Sequence, residues 1–253
     1  MKICRMSIFI EIRKMKQYII NFFTSLMYVP ISLLIYYFLY RSILESGVKL
    51  AADVSELMAY YTVVLFIRAA VSHAMRAVYD VFTDINDGDL DLWIVCPVSY
   101  PFVRFFRAMG SVIVTVPTGI LLLVAAMCFW SQPDPVGVLL LLVSTFLGFT
   151  VLYAMMFLLG LLTFWIKTVL TIRDIFWGIL SIFSGELIPL QLLPEKLRFF
   201  AWNPLASVYY MPARVLEGEW GYLWVQLAYV VLLGGAALLV WRVGLRKYES
   251  QGG

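Results

Sequence analysis

Long apolar stretches separated by short charged ones run through the whole chain. Crossing about 30 Å of hydrocarbon takes roughly 20 helical residues. Six stretches are long enough: Tyr18 to Tyr40, Leu57 to Tyr79, Ala108 to Trp130, Val136 to Trp165, Ile172 to Leu190, and Tyr222 to Trp241. The pattern predicts six transmembrane helices. The second carries Arg68, His73 and Arg76, and the fifth runs into Pro189 without a polar stop, so either is a candidate for a tilted or broken span. The first is predicted to stay in the protein, because its 23-residue apolar run exceeds a signal peptide's and no small-residue cleavage site follows. Before it, residues 1–17 place Ile8, Ile12, Met15 and Ile19 at helical spacing beside Arg13, Lys14 and Lys16. That reads either as an amphipathic helix in the cytoplasmic interface or as a plain charged anchor.

Composition removes whole classes of function. Hydrophobic residues are 62% of the chain and charged ones 14%, with a mean hydropathy of +0.89, against roughly 45–50% and about 25% in a soluble domain. The chain is therefore read as an all-α polytopic membrane protein, a single transmembrane domain over residues 1–253. A net charge of +3 leaves no basic stripe for a nucleic-acid backbone. Cys4, Cys96 and Cys128 lie far apart with no CxxC, which argues against a disulfide framework or a zinc cluster. No GxxxxGK[ST] phosphate loop is present, so any ATP must be handled by another polypeptide. The single histidine, His73, and the lack of HExxH or GxSxG disfavour an intramembrane hydrolase. Asn203-Pro204 resembles half of a water-channel signature without its second half, and the two halves of the chain show no inverted repeat.

Lys and Arg set the orientation, since short cytoplasmic loops carry an excess of them. Thirteen fall on one side: Lys2, Arg5, Arg13, Lys14 and Lys16 at the start, Arg76, Arg104 and Arg107 around the second and third spans, Lys167 and Arg173 after the fourth, and Arg242, Arg246 and Lys247 in the tail. Five fall on the other: Arg41, Lys49, Lys196, Arg198 and Arg214. Both termini are predicted to be cytoplasmic.

Two segments are not ordinary loops. Residues 80–105, on the cytoplasmic side, carry Asp80, Asp84, Asp87, Asp89 and Asp91 within twelve residues. A calcium loop starting at Asp84 fails, with Gly88 at its fifth position and Val95 at its twelfth. The remainder is a turn at Asp87-Gly88, then the apolar Leu90, Leu92, Trp93, Ile94 and Val95, ending at Pro97, where a short helix must stop. Such an element suits docking into a partner's groove, or else its Leu and Trp tuck under the membrane surface. Residues 184–221, on the outer side, are cut by Pro189, Pro194, Pro204 and Pro212 into pieces too short to span, yet carry Phe199, Phe200, Trp202, Tyr209, Tyr210 and Trp220, aromatic types enriched at the membrane interface. Short helices in or dipping into the outer leaflet follow, a re-entrant helical hairpin before the last span, with Pro194 at a first helical position and Glu195 near that helix's positive end.

Between these segments lies the charged second span. Asp53 and Glu56 form a plausible capping box for its start. Arg68, Ser72, Arg76 and Asp80 recur every four residues on one face. An arginine as deep as Arg68 costs at least about 2.5–3.5 kcal/mol. It should therefore face a wet cavity, a paired acid or another subunit. Arg68, Ser72 and Arg76 are the candidate lining of a substrate pathway.

The six-span plan, the lead-in helix, the acidic cytoplasmic loop and the Pro-rich outer hairpin together resemble the membrane subunit of a bacterial ABC exporter of the ABC-2 transporter family. The likeness is most specific at Ile85, Gly88, Leu90, Asp91 and Pro97, where relatives show Ile-x-x-Gly-x-Leu-Asp leading to a Pro, and at Ser184, Gly185, Pro189, Leu193, Pro194, Asn203 and Pro204. One departure is Val95-Cys96 before Pro97, where a basic residue is expected. The resemblance implies a permease of the inner membrane without its own ATPase, paired with a second permease, homologous or identical, and with two cytoplasmic ATPase subunits that hold ATP and Mg; this chain would bind no cofactor. The first cytoplasmic loop would act as the coupling helix through Asp87, Gly88, Asp89, Leu90, Asp91, Leu92, Trp93 and Pro97, and the outer hairpin would turn on Gly185, Glu186, Pro189 and Pro194. ATP-driven closure of the ATPases would push the loop and switch access across the membrane. The alternative is an ATP-independent channel or secondary carrier.

The charge count is directly testable. In intact cells Ser131→Cys should react with an impermeant thiol reagent from outside and Ser99→Cys should not; equal labelling overturns the orientation or the span count.

Overall fold

The computed structural model describes residues 19–46, 53–112, 115, 119, 122, 124 and 134–248. Among the described residues the secondary structure is helical, with no strand. Residues 1–17, with the expected interfacial helix, and most of the third apolar stretch lie outside them.

Helix α1 covers Ile19–Glu45. Helix α2, Val54–Val71, starts after Asp53, whose backbone N–H donates to the Glu56 carboxylate at 3.4 Å, as a capping box requires. It runs through a 3-10 turn, Ser72–Arg76, into α3, Ala77–Asn86. The whole is one rod, Val54–Asn86, of 33 residues, about 50 Å long at 1.5 Å per residue. After a turn comes the six-residue α4, Leu90–Val95, and then α5, Tyr100–Val112. Helix α6, Pro135–Leu161, has Asp134 as N-cap, accepting from the Val136 N–H, and Pro135 where a helix tolerates proline best. A 3-10 turn carries it on to Phe164. Helix α7 is Val169–Phe183, α8 is Tyr210–Leu216 and α9 is Gly221–Leu245. Three of these units, Val54–Asn86, Pro135–Phe164 and Gly221–Leu245, are long and apolar enough to cross a membrane.

Helix α6 is the central post, packed against α2, α3, α7, α8 and α9. Small residues let its neighbours come close. A Cβ at Gly148 would sit 2.6 Å from the Ser207 carbonyl oxygen, and one at Gly160 would sit 2.8 Å from Val81 Cβ. Helix α9 buries only Gln226, Ala237, Trp241 and Gly244 and leaves Trp224, Val231, Leu232 and Leu239 exposed. An outward apolar face of this kind suits hydrocarbon as its solvent.

Between α7 and α8 the chain forms 3-10 pieces at Leu190–Leu192, Glu195–Trp202 and Pro204–Ser207. The sequence reading placed short proline-started helices here. Pro194 falls one position earlier than expected, at the N-cap, with Glu195 opening the helix. Phe199, Trp202 and Trp220 are exposed, whereas Tyr209 and Tyr210 join the core together with Ala206, Ser207, Val208 and Met211.

The close approach at Gly148 makes a test. Gly148→Ala should lower thermal stability in detergent by about 1–3 kcal/mol, because the atom it meets is backbone and cannot rotate away. Gly178→Ala, in α7 with nothing within 4 Å of its Cβ, should instead be neutral or stabilise by up to ~1 kcal/mol through helix propensity. Equal responses would show that α6 is not packed this closely.

Candidate functional site

The loop of residues 80–105 is built around the short helix α4. Gly88 has φ +81°, a conformation that side-chain-bearing residues rarely adopt, and it turns the chain out of α3. Asp87 and Asp89 flank it, exposed. Helix α4 ends at Cys96, whose extended backbone leads into Pro97. Its faces differ sharply. Leu90 is fully buried in the main core, while Leu92 is 71% and Val95 85% exposed, with Ile94, Cys96 and Pro97 exposed alongside.

Trp93 braces the helix from the other side. The Arg107 guanidinium lies 4.7 Å and that of Arg104 5.6 Å from its ring centroid, and Tyr100 meets it edge-on at 6.1 Å. Such cation–π contacts favour Trp over the other aromatics. Below them Asp84 is buried, accepts the Tyr100 hydroxyl at 2.5 Å and pairs with Arg104. This charge is compensated twice over, as burial demands. Tyr100 also stacks on Trp241 of α9 at 4.8 Å and approaches Phe157 of α6 at 6.3 Å. Beyond the last helix, burial and then the Asp91 carboxylate hold the Tyr248 hydroxyl above its usual range. The loop is thus tied to α3, α5, α6 and α9 through Asp84, Tyr100 and Arg104, none of which stood among the candidate residues.

The charged second span resolves differently from its four-residue spacing. Arg68 Nη1 lies 2.5 Å from Glu186 Oε1, and Ser181 Oγ donates to the other carboxylate oxygen at 3.1 Å. Of the three environments open to Arg68, the structure shows the paired acid. The Tyr28 ring lies 5.1 Å from its guanidinium. Ser72 and Arg76 do not join this centre: Ser72 bonds the Ala69 carbonyl and Arg76 is exposed. The 3-10 turn carries Arg76 out of register, because each residue from Ser72 to Arg76 advances about 120° instead of 100°, which sums to roughly 100° over five residues.

Glu186 sits where the segment between α7 and α8 begins, after Gly185 with φ +88°. A Cβ at Gly185 would meet the Tyr60 hydroxyl at 2.7 Å. That hydroxyl donates to the Gly185 carbonyl at 2.7 Å, and Tyr61 donates to the Leu187 carbonyl at 2.8 Å. Pro189 is buried and Pro194 exposed. No group of three or more His, Cys, Asp or Glu able to hold a metal occurs among the described residues.

A helical bundle with three helices long and apolar enough to cross a membrane, and with charged pairs inside it, fits an integral membrane protein. Residues 26–252 match the family model described as ABC-2 family transporter protein, and the chain belongs to that family. It is a membrane permease of the ABC transporter type, a component that works with an ATPase subunit. No curated protein matches the sequence.

The pair, with Glu186 buried and Arg68 half-buried, should behave as a unit. Arg68→Met and Glu186→Gln should each cost about 3 kcal/mol, since either strands a partner, and the double variant should cost clearly less than their sum in thermal unfolding. Additive losses would mean that the two side chains do not interact in the folded protein.

Proposed function

We propose that the chain is the permease subunit of an ATP-driven exporter in the bacterial inner membrane, and that separate ATPase subunits dock on α4. One observation carries this reading: Leu92, Ile94 and Val95 are exposed on a short helix that follows the end of the Val54–Asn86 rod. The rod Val54–Asn86 is about 50 Å long against about 30 Å of hydrocarbon, so with its N-terminal end at the outer surface α4 hangs in water. A cluster of large apolar side chains there calls for a protein cover. Asp87, Asp89 and Asp91 around it suit a groove with basic groups on its rim.

Membership of the family supports the following assembly. Two ATPase subunits hold ATP and Mg, and a second permease, homologous or identical, completes the pathway, while this chain binds no cofactor. In this arrangement the chain crosses the membrane six times with both termini cytoplasmic: along α1, along α2, through the stretch opened by α5, along α6, along α7 with a re-entrant outer segment, and along α9. The substrate path runs beside Arg68, Ser72 and Arg76, and the Arg68–Glu186 pair closes its outer end.

The docking face is separable from the fold. Leu92→Asp combined with Val95→Asp should cut copurification of the ATPase subunit at least tenfold and abolish transport, with the melting temperature unchanged, because neither side chain packs internally. Leu90→Asp should instead lower the melting temperature, since it places a charge in the core. Wild-type ATPase recovery from the double variant refutes the docking role of α4.

A further inference from the structure

A cleft of about 330 Å³ opens between α2, α5 and α6, lined by Phe66, Ala69, Ala70, Met109, Thr145 and Phe149 among others. It lies at the small end of the roughly 300–1,000 Å³ range of ligand sites. Two further lining residues, Leu142 and Phe146, are 47% and 46% exposed on the outward face of α6, so its mouth faces the bilayer side. The cleft lies within one chain, and neither α4 nor Arg68 nor Glu186 is among its lining residues.

One polar atom in it is unspent. Thr145 is buried, and its hydroxyl has no hydrogen-bond partner among the described residues. A helical threonine ordinarily satisfies itself on the preceding turn, as Thr150 does on the Phe146 carbonyl at 2.9 Å. The other hydroxyl of the cleft, that of Thr115, is bonded to the Ala69 carbonyl at 2.8 Å. Thr145 stands ten residues beyond Pro135, about 15 Å along the helix, which is mid-depth in about 30 Å of hydrocarbon for a span that begins at Pro135. Lipid chains carry no hydrogen-bonding atom at that depth. A lipid tail filling the cleft would leave the hydroxyl unpaired, and an empty cleft would forfeit the packing contacts of its walls as well.

We propose that this cleft is a binding site for a small amphiphile that enters from the bilayer, an apolar or aromatic body with one hydrogen-bonding group placed to pair with Thr145. The three phenylalanines, Phe66, Phe146 and Phe149, receive the body and the hydroxyl fixes its orientation. Ala69 and Ala70 keep the floor open.

The probe is a photoreactive alkylphenol added to the full chain in lipid nanodiscs, with a phospholipid bearing the same photoreactive group in its tail as the comparison. The alkylphenol should label peptides containing Met109 and Phe149 well above the lipid-facing Val231 of α9, and unlabelled alkylphenol should compete for the site. Thr145→Val keeps the shape and removes the hydroxyl, so it should weaken that competition about five- to tenfold. Ala70→Phe should abolish the labelling, and the melting temperature shows whether that variant remains folded. An unchanged competition curve in Thr145→Val overturns the proposal. So does phospholipid labelling of the same peptides that alkylphenol fails to displace, which would make the cleft a seat for lipid tails.

Discussion

The backbone between α7 and α8 is irregular, and parts of it, Ser184 to Glu186 and Ala206 to Tyr209, are buried in the bundle. In an apolar surround every carbonyl and N–H must find a partner inside the protein. Side chains from other parts of the chain supply them. Tyr60 donates to Gly185 and Tyr61 to Leu187, Asn203 to the Phe183 carbonyl at 3.1 Å, and Gln226 to Ser207 at 2.8 Å. Gln226 is itself held by Ser144, which donates to its side-chain oxygen at 2.6 Å. Five polar residues on α2, α6, α9 and the segment itself thus allow chain that is neither long helix nor strand to occupy the interior. The small residue Gly148 leaves the space it fills.

That constraint also accounts for where the charges lie. Tyr60 and Tyr61 pin the start of the outer segment to α2, and the same pinning brings Glu186 to the level of Arg68, further along the helix. Arginine at that depth is tolerable because the carboxylate arrives with it, and the carboxylate is tolerable because Ser181 shares the load. The pair therefore belongs to the same fastening as the tyrosine bonds.

Much of this architecture is legible in the sequence, for reasons that are local. The turn at Asp87-Gly88, the short apolar helix stopped before Pro97, the Asp53–Glu56 start and the proline-cut outer pieces each depend on residues within a few positions of one another. What was not legible depends on distance or on small differences in helix geometry. Glu186 is 118 residues from Arg68, and no spacing rule joins them. The four-residue recurrence of Arg68, Ser72, Arg76 and Asp80 assumes 100° per residue and fails once Ser72–Arg76 tightens into a 3-10 turn. Asp84 looked like one member of an acidic surface run, yet it is buried between Tyr100 and Arg104. In a helix of six residues, Leu90 inward and Leu92 outward cannot be told apart by periodicity. Tyr209 and Tyr210 have interfacial chemistry but core positions, because the fold of the outer segment, not residue type, decides their environment.

In the proposed exporter, a push on α4 reaches the membrane through a stiff path. Trp93 sits against Arg104 and Arg107, and Asp84 locks Tyr100 and Arg104 to α3. Tyr100 continues that path into Trp241, Phe157 and Tyr153, whose rings lie 4.8 to 6.4 Å apart. Close-packed aromatic stacks transmit displacement and do not absorb it. The absorbing element must therefore be elsewhere, and the 3-10 turn Ser72–Arg76 is the candidate, since mid-helix 3-10 stretches often mark hinges. Above that turn, α2 is fastened to the outer segment by Tyr60, Tyr61 and Arg68; below it, α3 is fastened to the loop by Asp84. A hinge between two fastened halves lets a cytoplasmic motion rotate the lower half against the upper one without breaking either set of bonds. The turn sets Arg76 about 100° away from where a continuous α-helix would place it relative to Arg68, so a small change of twist within it re-aims Arg76 while α3 keeps its packing on α6.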